Sequence, residues 1–306
     1  MKISNKKRLT APLVAIVFML VIPVLSLSKE TPSGMVYISA GEFIMGNDGS
    51  DLVVTKGNES VDEAPRHVVN LKAFYIDKYE VTNKQYKAFL NTLQRLGVKR
   101  FSHYNDDGVP VPDRWVIETE VDGKSTDIPI PDRWSLETYP PDEADYPVVD
   151  VDWYMASKYC SVNGKRLPAE EEWEKAARGT DGRIFPWGNV YKIGVSNNQE
   201  SWEINLEHMV DVGRMKEDVS PYGVHDMAGN AMEWTSSLYR PYPGSNLDRD
   251  IFKLEKYVLR GGASNTYLYE FGRTTARHFR GPTDNRDAHA DWHTDMNIGF
   301  RCAADE

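Results

Sequence analysis

Gly164-Lys-Arg-Leu-Pro-Ala-Glu-Glu-Glu-Trp-Glu-Lys-Ala-Ala-Arg-Gly179 decides the fold class. Gly164 ends one helical pattern and Pro168 opens the next, since proline lacks only an N–H that a helix start leaves unpaired anyway. Glu170, Glu171 and Glu172 complement the positive end of the dipole, and Gly179 stops the pattern, so a helix is predicted over Ala169 to Arg178. Beyond Gly179 helical periodicity disappears, and Gly, Asn, Asp, Pro and aromatic residues dominate to Glu306. A chain of this kind gets little from long helices. It must be held by loop packing, side-chain hydrogen bonds, metal ions or a disulfide.

Upstream, Asp152 is placed to cap a helix that turns Trp153, Ala156, Tyr159 and Cys160 inward and ends at Gly164. An earlier helix starts at Thr82 or Asn83, with Tyr86, Phe89, Leu90 and Leu93 on one face and Gly97 closing it. Before it, Met35–Ile38 and Gly41–Gly46 are short apolar runs bracketed by glycines, which suggests a hairpin. Asn47 to Ala64 reads as an acidic loop. Val68 to Tyr79 alternates apolar and polar residues and reads as a strand. Residues 101–145 stand apart, with twelve acids against three basic residues. Inside them Val109-Pro-Val-Pro-Asp-Arg-Trp115 recurs as Ile128-Pro-Ile-Pro-Asp-Arg-Trp134. Alternating prolines cannot complete a hydrogen-bond ladder, so this is edge or extended structure. It is either an acidic docking arm for a basic partner or a solvated surface insertion.

The 306 residues allow one large domain or two small ones. Residues 1–28 read as a secretory signal: Lys2 to Arg8 is cationic, Ala11 to Leu25 is apolar, and Ser26 and Ser28 precede a cut ahead of Lys29. The alternative is an uncleaved anchor, but the apolar run is shorter than the roughly 20 residues a span needs, and Pro12 and Pro23 interrupt it. A periplasmic or extracellular location follows, with the domain over 29–306 and no stable membrane span after cleavage. Removing the four cations of the leader takes the net charge from −10 to −14. Such a chain repels nucleic acid and suits cationic partners or divalent metals. The two cysteines, Cys160 and Cys302, pair in an oxidising compartment and stay free thiols in a reducing one. No Ser/His/Asp order, phosphate loop or haem motif is present.

Eight motifs in order carry a resemblance. They are Gly41-Glu-Phe-Ile-Met-Gly46, Asp62-Glu-Ala-Pro-Arg-His67, Tyr79-Glu-Val-Thr-Asn83, Gly164 to Trp173, Pro186-Trp-Gly-Asn189, Asp226-Met-Ala-Gly-Asn-Ala-Met-Glu-Trp234, Arg260-Gly-Gly262 and Asn297-Ile-Gly-Phe-Arg-Cys302. Together they resemble the formylglycine-generating-enzyme, or sulfatase-modifying-factor, family over about residues 34–304, the 101–145 insertion excepted. The resemblance implies one compact α+β domain with a C-type-lectin-like core and little regular structure. Bottom-up, Arg178, Arg273, Arg277 and Arg301 are candidates for buried bidentate pairs with carboxylates that tie loops together, and Trp173, Trp187 and Trp234 supply core area.

The family pairs cysteines matching Cys160 and Cys302, so a structural disulfide is implied. It also implies a calcium loop whose ligands here would be the Asp226 side chain, the Gly229 and Ala231 carbonyls and Glu233. An oxygen-only set suits a hard cation; the alternative is a tight Gly-Asn turn with Glu233 paired to an arginine. A second calcium site begins at Asn197 or Asn198, with later ligands within 203–211. In the active enzymes two cysteines after the Gly-Gly motif bind copper, a soft-ligand task. Counting from Gly262, their positions hold Thr266 and Phe271. Groove positions hold Met232, Ala263, Arg273 and Asn297. Asp287, His289, Asp291, His293 and Asp295 recur at every second residue and form either a mixed transition-metal site or a polar loop.

Three functions follow. The first is an exported non-oxidase member that binds a peptide or protein partner, with structural calcium and without copper. The second is a non-heme metal oxidoreductase built on His289 and His293. The third is a formylglycine-generating oxidase acting on sulfatases.

Overall fold

A computed structural model describes residues 31–48, 61–95, 100–104, 110–121, 124–129, 134, 138–204, 208–283 and 297–306. Residues 1–28, Gly97 and the Asp287–Asp295 row lie outside the described residues.

Strand β1 (Met35–Ile38) and strand β2 (Gly41–Met45) form where the glycine-bracketed runs predict them. They do not form a hairpin with each other. Gly41, at φ 127°, turns the chain out of one sheet and into another. The Val68–Tyr79 alternation also proves to be two strands, β3 (His67–Leu71) and β4 (Phe74–Asp77). β3 alternates between half-buried and exposed, whereas Phe74, Tyr75 and Ile76 are buried in succession, so a single half-buried strand cannot contain both. β2 pairs with β3, and β1 pairs with β4, both antiparallel.

Helix α1 (Asn83–Arg95) opens on a capping box. The Gln85 N–H donates to Thr82 Oγ1 and the Thr82 N–H to Gln85 Oε1. Its Tyr86, Phe89, Leu90 and Leu93 are all buried, as their spacing predicts. Strands β5 (Arg100–Tyr104), β6 (Pro110–Val121) and β7 (Lys124–Pro129) then make a separate three-stranded sheet with β6 in the centre. Pro110 starts β6, Pro112 sits where the register with β5 shifts, and Pro129 finishes the edge strand β7. Trp134 fastens this insertion to the core. Its indole is buried, donates to Asn83 Oδ1 at 3.1 Å and meets the Tyr86 ring edge-on.

Helix α2 (Trp153–Val162) is capped by Asp152, whose Oδ1 accepts from the Met155 N–H at 2.7 Å. Helix α3 (Glu170–Arg178) ends at Gly179, φ 72°. After it come β8 (Met232–Leu238), β9 (Tyr257–Arg260), the single turn α4 (Leu268–Phe271), β10 (His278–Arg280), β11 (Ile298–Gly299) and β12 (Ala303–Asp305). They build a four-stranded sheet in the order β10-β9-β8-β11 and complete a three-stranded sheet β1-β4-β12. The main core lies between α1, α2 and the β8–β9–β11 strands. A second packs Trp173, Ala176 and Ala177 of α3 on Phe74 and Ile76 of β4. Residues Thr31–Glu306 form one compact α+β unit.

The arginines close the loops. Arg273 holds Glu63 through both oxygens at 2.6 Å, Arg277 holds Glu170 at 2.6 and 2.9 Å, and Arg301 holds Glu233 at 2.6 and 2.7 Å. Arg178 meets Glu174 one helical turn away. Glu174 also carries Arg260, a partner that sequence spacing does not reveal.

Cys160 of α2 and Cys302, just before β12, form a buried disulfide with Cα atoms 5.6 Å apart. Their separation of 142 residues gives, in the chain-entropy account, roughly 5 kcal/mol of stabilisation before any strain. Replacing both cysteines by alanine is therefore expected to cost about 2–5 kcal/mol, read as a lower denaturant midpoint. An unchanged midpoint contradicts the staple role.

Candidate functional site

The segment after β9 is set by its glycines. A Cβ on Gly262 would lie 2.8 Å from the Ala228 carbonyl, and one on Gly261 (φ 77°) 3.2 Å from the Trp173 ring. Only glycine lets this strand end pass so close to the Asp226–Glu233 loop. Ser264 and Asn297 then meet, the Asn297 amide donating to Ser264 Oγ at 2.8 Å. The Met232 N–H donates to the Asn297 carbonyl. Met232, Ala263 and Asn297 are thus brought together around Ser264, and Met232, Ala263 and Ser264 are buried there. Arg273 is not free to join them, because Glu63 and the Thr275 hydroxyl take its guanidinium.

Thr266 and Phe271 are both turned to local structure. The Thr266 hydroxyl accepts from the Ala263 N–H at 2.8 Å and donates to the Ala263 carbonyl at 3.0 Å. The Phe271 ring stacks on His278 with centroids 4.3 Å apart. Burial and nearby arginines push the His278 imidazole down to about 3, so it stays neutral and serves as a packing surface. Glu200 holds the segment from outside, accepting from the Leu268 N–H and the Tyr191 hydroxyl.

A second cluster surrounds Asp226, which adopts φ 58°, as Asn230 adopts φ 70°. Asp226 Oδ2 accepts from the Gly213 N–H at 2.5 Å. Glu80 faces it, with Oε1 accepting from the Ala231 N–H at 3.3 Å and its carboxyl sharing a side-chain hydrogen bond with Asp226. Asp218 accepts from the Ala228 N–H through one oxygen, and its other oxygen is buried without a partner. Burial, then the Asp226 charge, pushes Glu80 and Asp218 well above the usual carboxylate range. Burial pushes Asp226 up to about 6. Glu233 is differently placed: both its oxygens go to Arg301, and one also accepts from the Trp173 indole at 2.9 Å.

These residues fit a hard cation. Neighbouring carboxylates, one of them with an orphaned oxygen, beside a glycine-bearing loop, are an oxygen-donor environment with unmet demand for positive charge. Among the described residues no three His, Cys, Asp or Glu side chains form a complete metal-ligand group, so a cation there needs backbone carbonyls as well. Of the two asparagines, Asn197 donates to the His208 carbonyl and to Asn230 Oδ1, which leaves its own Oδ1 buried and unpartnered. Asn198 Oδ1 instead caps the turn at Glu200 and Ser201. His289, Asp291 and His293 lie outside the described residues. Sequence reading missed Glu80 and Asp218. Glu80 sits inside the quoted Tyr79–Asn83 motif, whereas nothing in the chain around Asp218 marks it.

A compact α+β core, glycines pressed onto an acidic loop, and the Met232–Asn297 contact beside them make a fold of the formylglycine-generating class. A sulfatase-modifying factor enzyme 1-like domain model matches residues 24–306, and the chain belongs to that family. It is 31% identical to a formylglycine-generating enzyme of Bos taurus over 90% of this chain and 75% of the relative. It is 30% identical to inactive C-alpha-formylglycine-generating enzyme 2 of Mus musculus, over 96% of this chain and 92% of that protein. Among solved structures, PvdO from Pseudomonas aeruginosa shares the fold, with a TM-score of 0.58 at 24% identity over 89% of this chain and 94% of that one.

The raised Asp226 pKa has a definite sign. Without a bound cation, the folded chain keeps a proton on Asp226 up to about pH 6, while the unfolded chain releases it near its ordinary 3.8. This contribution to stability is present at low pH and is lost as pH rises through that window. Thermal melts of wild type minus D226N should therefore fall between about pH 4 and 6; a flat difference contradicts the burial of this carboxyl.

Proposed function

We propose that this protein is an exported, non-oxidase member of its family that serves as a binding or accessory protein for a peptide or protein partner, with calcium as a structural ion. One observation carries the reading. The only two cysteines of the chain, Cys160 and Cys302, are joined in a buried disulfide, and the groove positions hold a hydroxyl and a phenyl ring instead. The residues do not fit copper: Thr266 and Phe271 offer no soft donor, and no thiol is free to replace them. A route through copper thiolates is therefore closed to this chain. Relatives named as inactive enzymes, from Mus musculus and Bos taurus, match over 96% of this chain, which supports a fold used without that chemistry.

Calcium would be held by Asp226 and Glu80 with the Gly229 and Ala231 carbonyls; Asn197 Oδ1 is the donor for a second ion. Glu233 orients this loop through Arg301 rather than facing the ion. Bound calcium would relieve the mutual repulsion of the carboxylates and fix the loop that forms one wall of the groove. Export rests on the cationic and apolar pattern of residues 1–28. It agrees with a disulfide, which persists in oxidising compartments.

The test incubates the full-length protein with copper, oxygen and a cysteine-containing peptide, and traps any aldehyde for mass spectrometry. No aldehyde is expected; its copper-dependent appearance overturns the reading. In a separate measurement, calcium at 100 times its Kd should stabilise the wild type by about 2.7 kcal/mol and leave D226N little changed. An equal calcium response from D226N removes Asp226 from the site.

A further inference from the structure

The small sheet of β2 and β3 has two edges, and they are treated differently. Helix α3 closes the β2 edge. Lys175 Nζ donates to the Ser39 and Gly41 carbonyls at 2.8 and 2.9 Å, and Arg178 to the Ile44 carbonyl at 3.2 Å. Among the described residues, β3 pairs with β2 alone, and no other hydrogen bond reaches the His67–Leu71 backbone. Alternate N–H and C=O groups along β3 are therefore left for an added strand.

That edge borders a groove of about 600 Å³. Val68, Val69 and Asn70 line one side and Leu238 the other. Val68 is 63% exposed and Leu238 40%, so two aliphatic side chains face solvent across it. Two arginines and two glutamates line the groove, and they are differently engaged. Arg277 is committed to Glu170, and Arg240 donates to the Tyr239 and Leu254 carbonyls. Glu171 has no cationic partner within bonding distance, and partial burial pushes its carboxyl up. The chain as a whole carries −10.

We propose that β3 accepts an extended segment of a partner protein as a third strand, with an aliphatic side chain against Val68 and Leu238 and a lysine or arginine at Glu171. The main-chain ladder supplies affinity, and the alternate side chains supply selectivity. Glu171 is the groove carboxylate without an ion pair, so a cationic side chain placed beside it gains a charge-assisted contact that an acidic one cannot make. The proposal rests on the accessory reading above and assigns its partner a place away from the Thr266–Phe271 groove.

The probe is a fluorescein-labelled eight-residue peptide of alternating valine and lysine, titrated against the full-length protein by anisotropy. Saturable binding is expected. Methylating two alternate backbone amides removes two ladder donors, each worth about 0.5–1.5 kcal/mol, so affinity should fall about tenfold or more. Replacing lysine by glutamate in the peptide should weaken binding further. E171Q should weaken the lysine peptide severalfold, with an unchanged melting temperature as the folding control. No saturable binding at millimolar peptide, or equal affinity for the methylated peptide, overturns strand addition. Binding that E171Q leaves unaltered overturns the charge assignment. These outcomes are independent of aldehyde formation, which alone decides against the non-oxidase reading.

Discussion

Glu233 and Arg301 form the interaction on which the rest of this structure depends. Both are fully buried, and each oxygen of the carboxylate meets a guanidinium nitrogen. Ion pairs in low dielectric repay their desolvation only when geometry is good and the remaining donors are satisfied. Here they are satisfied. Arg301 also donates to the Asp77, Lys78 and His225 carbonyls, so one side chain joins β8, the end of β4 and the approach to Asp226. Arg260 does the same for the Thr274, Thr275 and Ala276 carbonyls, and Arg178 for Gly46 and Gly182. In a domain with short helices, planar five-donor side chains satisfy the backbone polar groups that a ladder would otherwise take.

The local rules were readable and the long-range ones only in kind. Asp152, Gly164 and Gly179 marked helix ends because capping and positive φ are properties of single residues. Arg273, Arg277 and Arg301 were legible as salt-bridge formers, since guanidinium is rarely buried alone, yet their partners lie 210, 107 and 68 residues away in sequence. No periodicity encodes such a pairing. The Val68–Tyr79 pattern misled because alternation holds only to Leu71, and the apolar run Phe74-Tyr-Ile marks a buried strand without saying which sheet it joins. Glu80 and Asp218 escaped because a buried carboxylate looks, in sequence, like any solvated one.

Fold and chemistry are separable in this scaffold. The Gly261–Gly262 contact with Ala228 and Trp173 shapes the groove wall whether or not sulfur follows it. Thr266 closes its own turn on Ala263, and Glu200 pins the start of α4. Two side chains can therefore change character there while the surrounding geometry is kept by glycines, a carboxylate and an asparagine.

Residues 298–305 supply a strand to each of two different sheets, one half of the disulfide and the guanidinium that neutralises Glu233. The interior is thus sealed by a segment that follows, in sequence, every element it joins. Until it arrives, β4 lacks one neighbour and Glu233 lacks its counter-charge. Assembly is consequently an event of the whole chain, not a progression from one end. Detaching this segment would take a strand from each sheet and open both cores together.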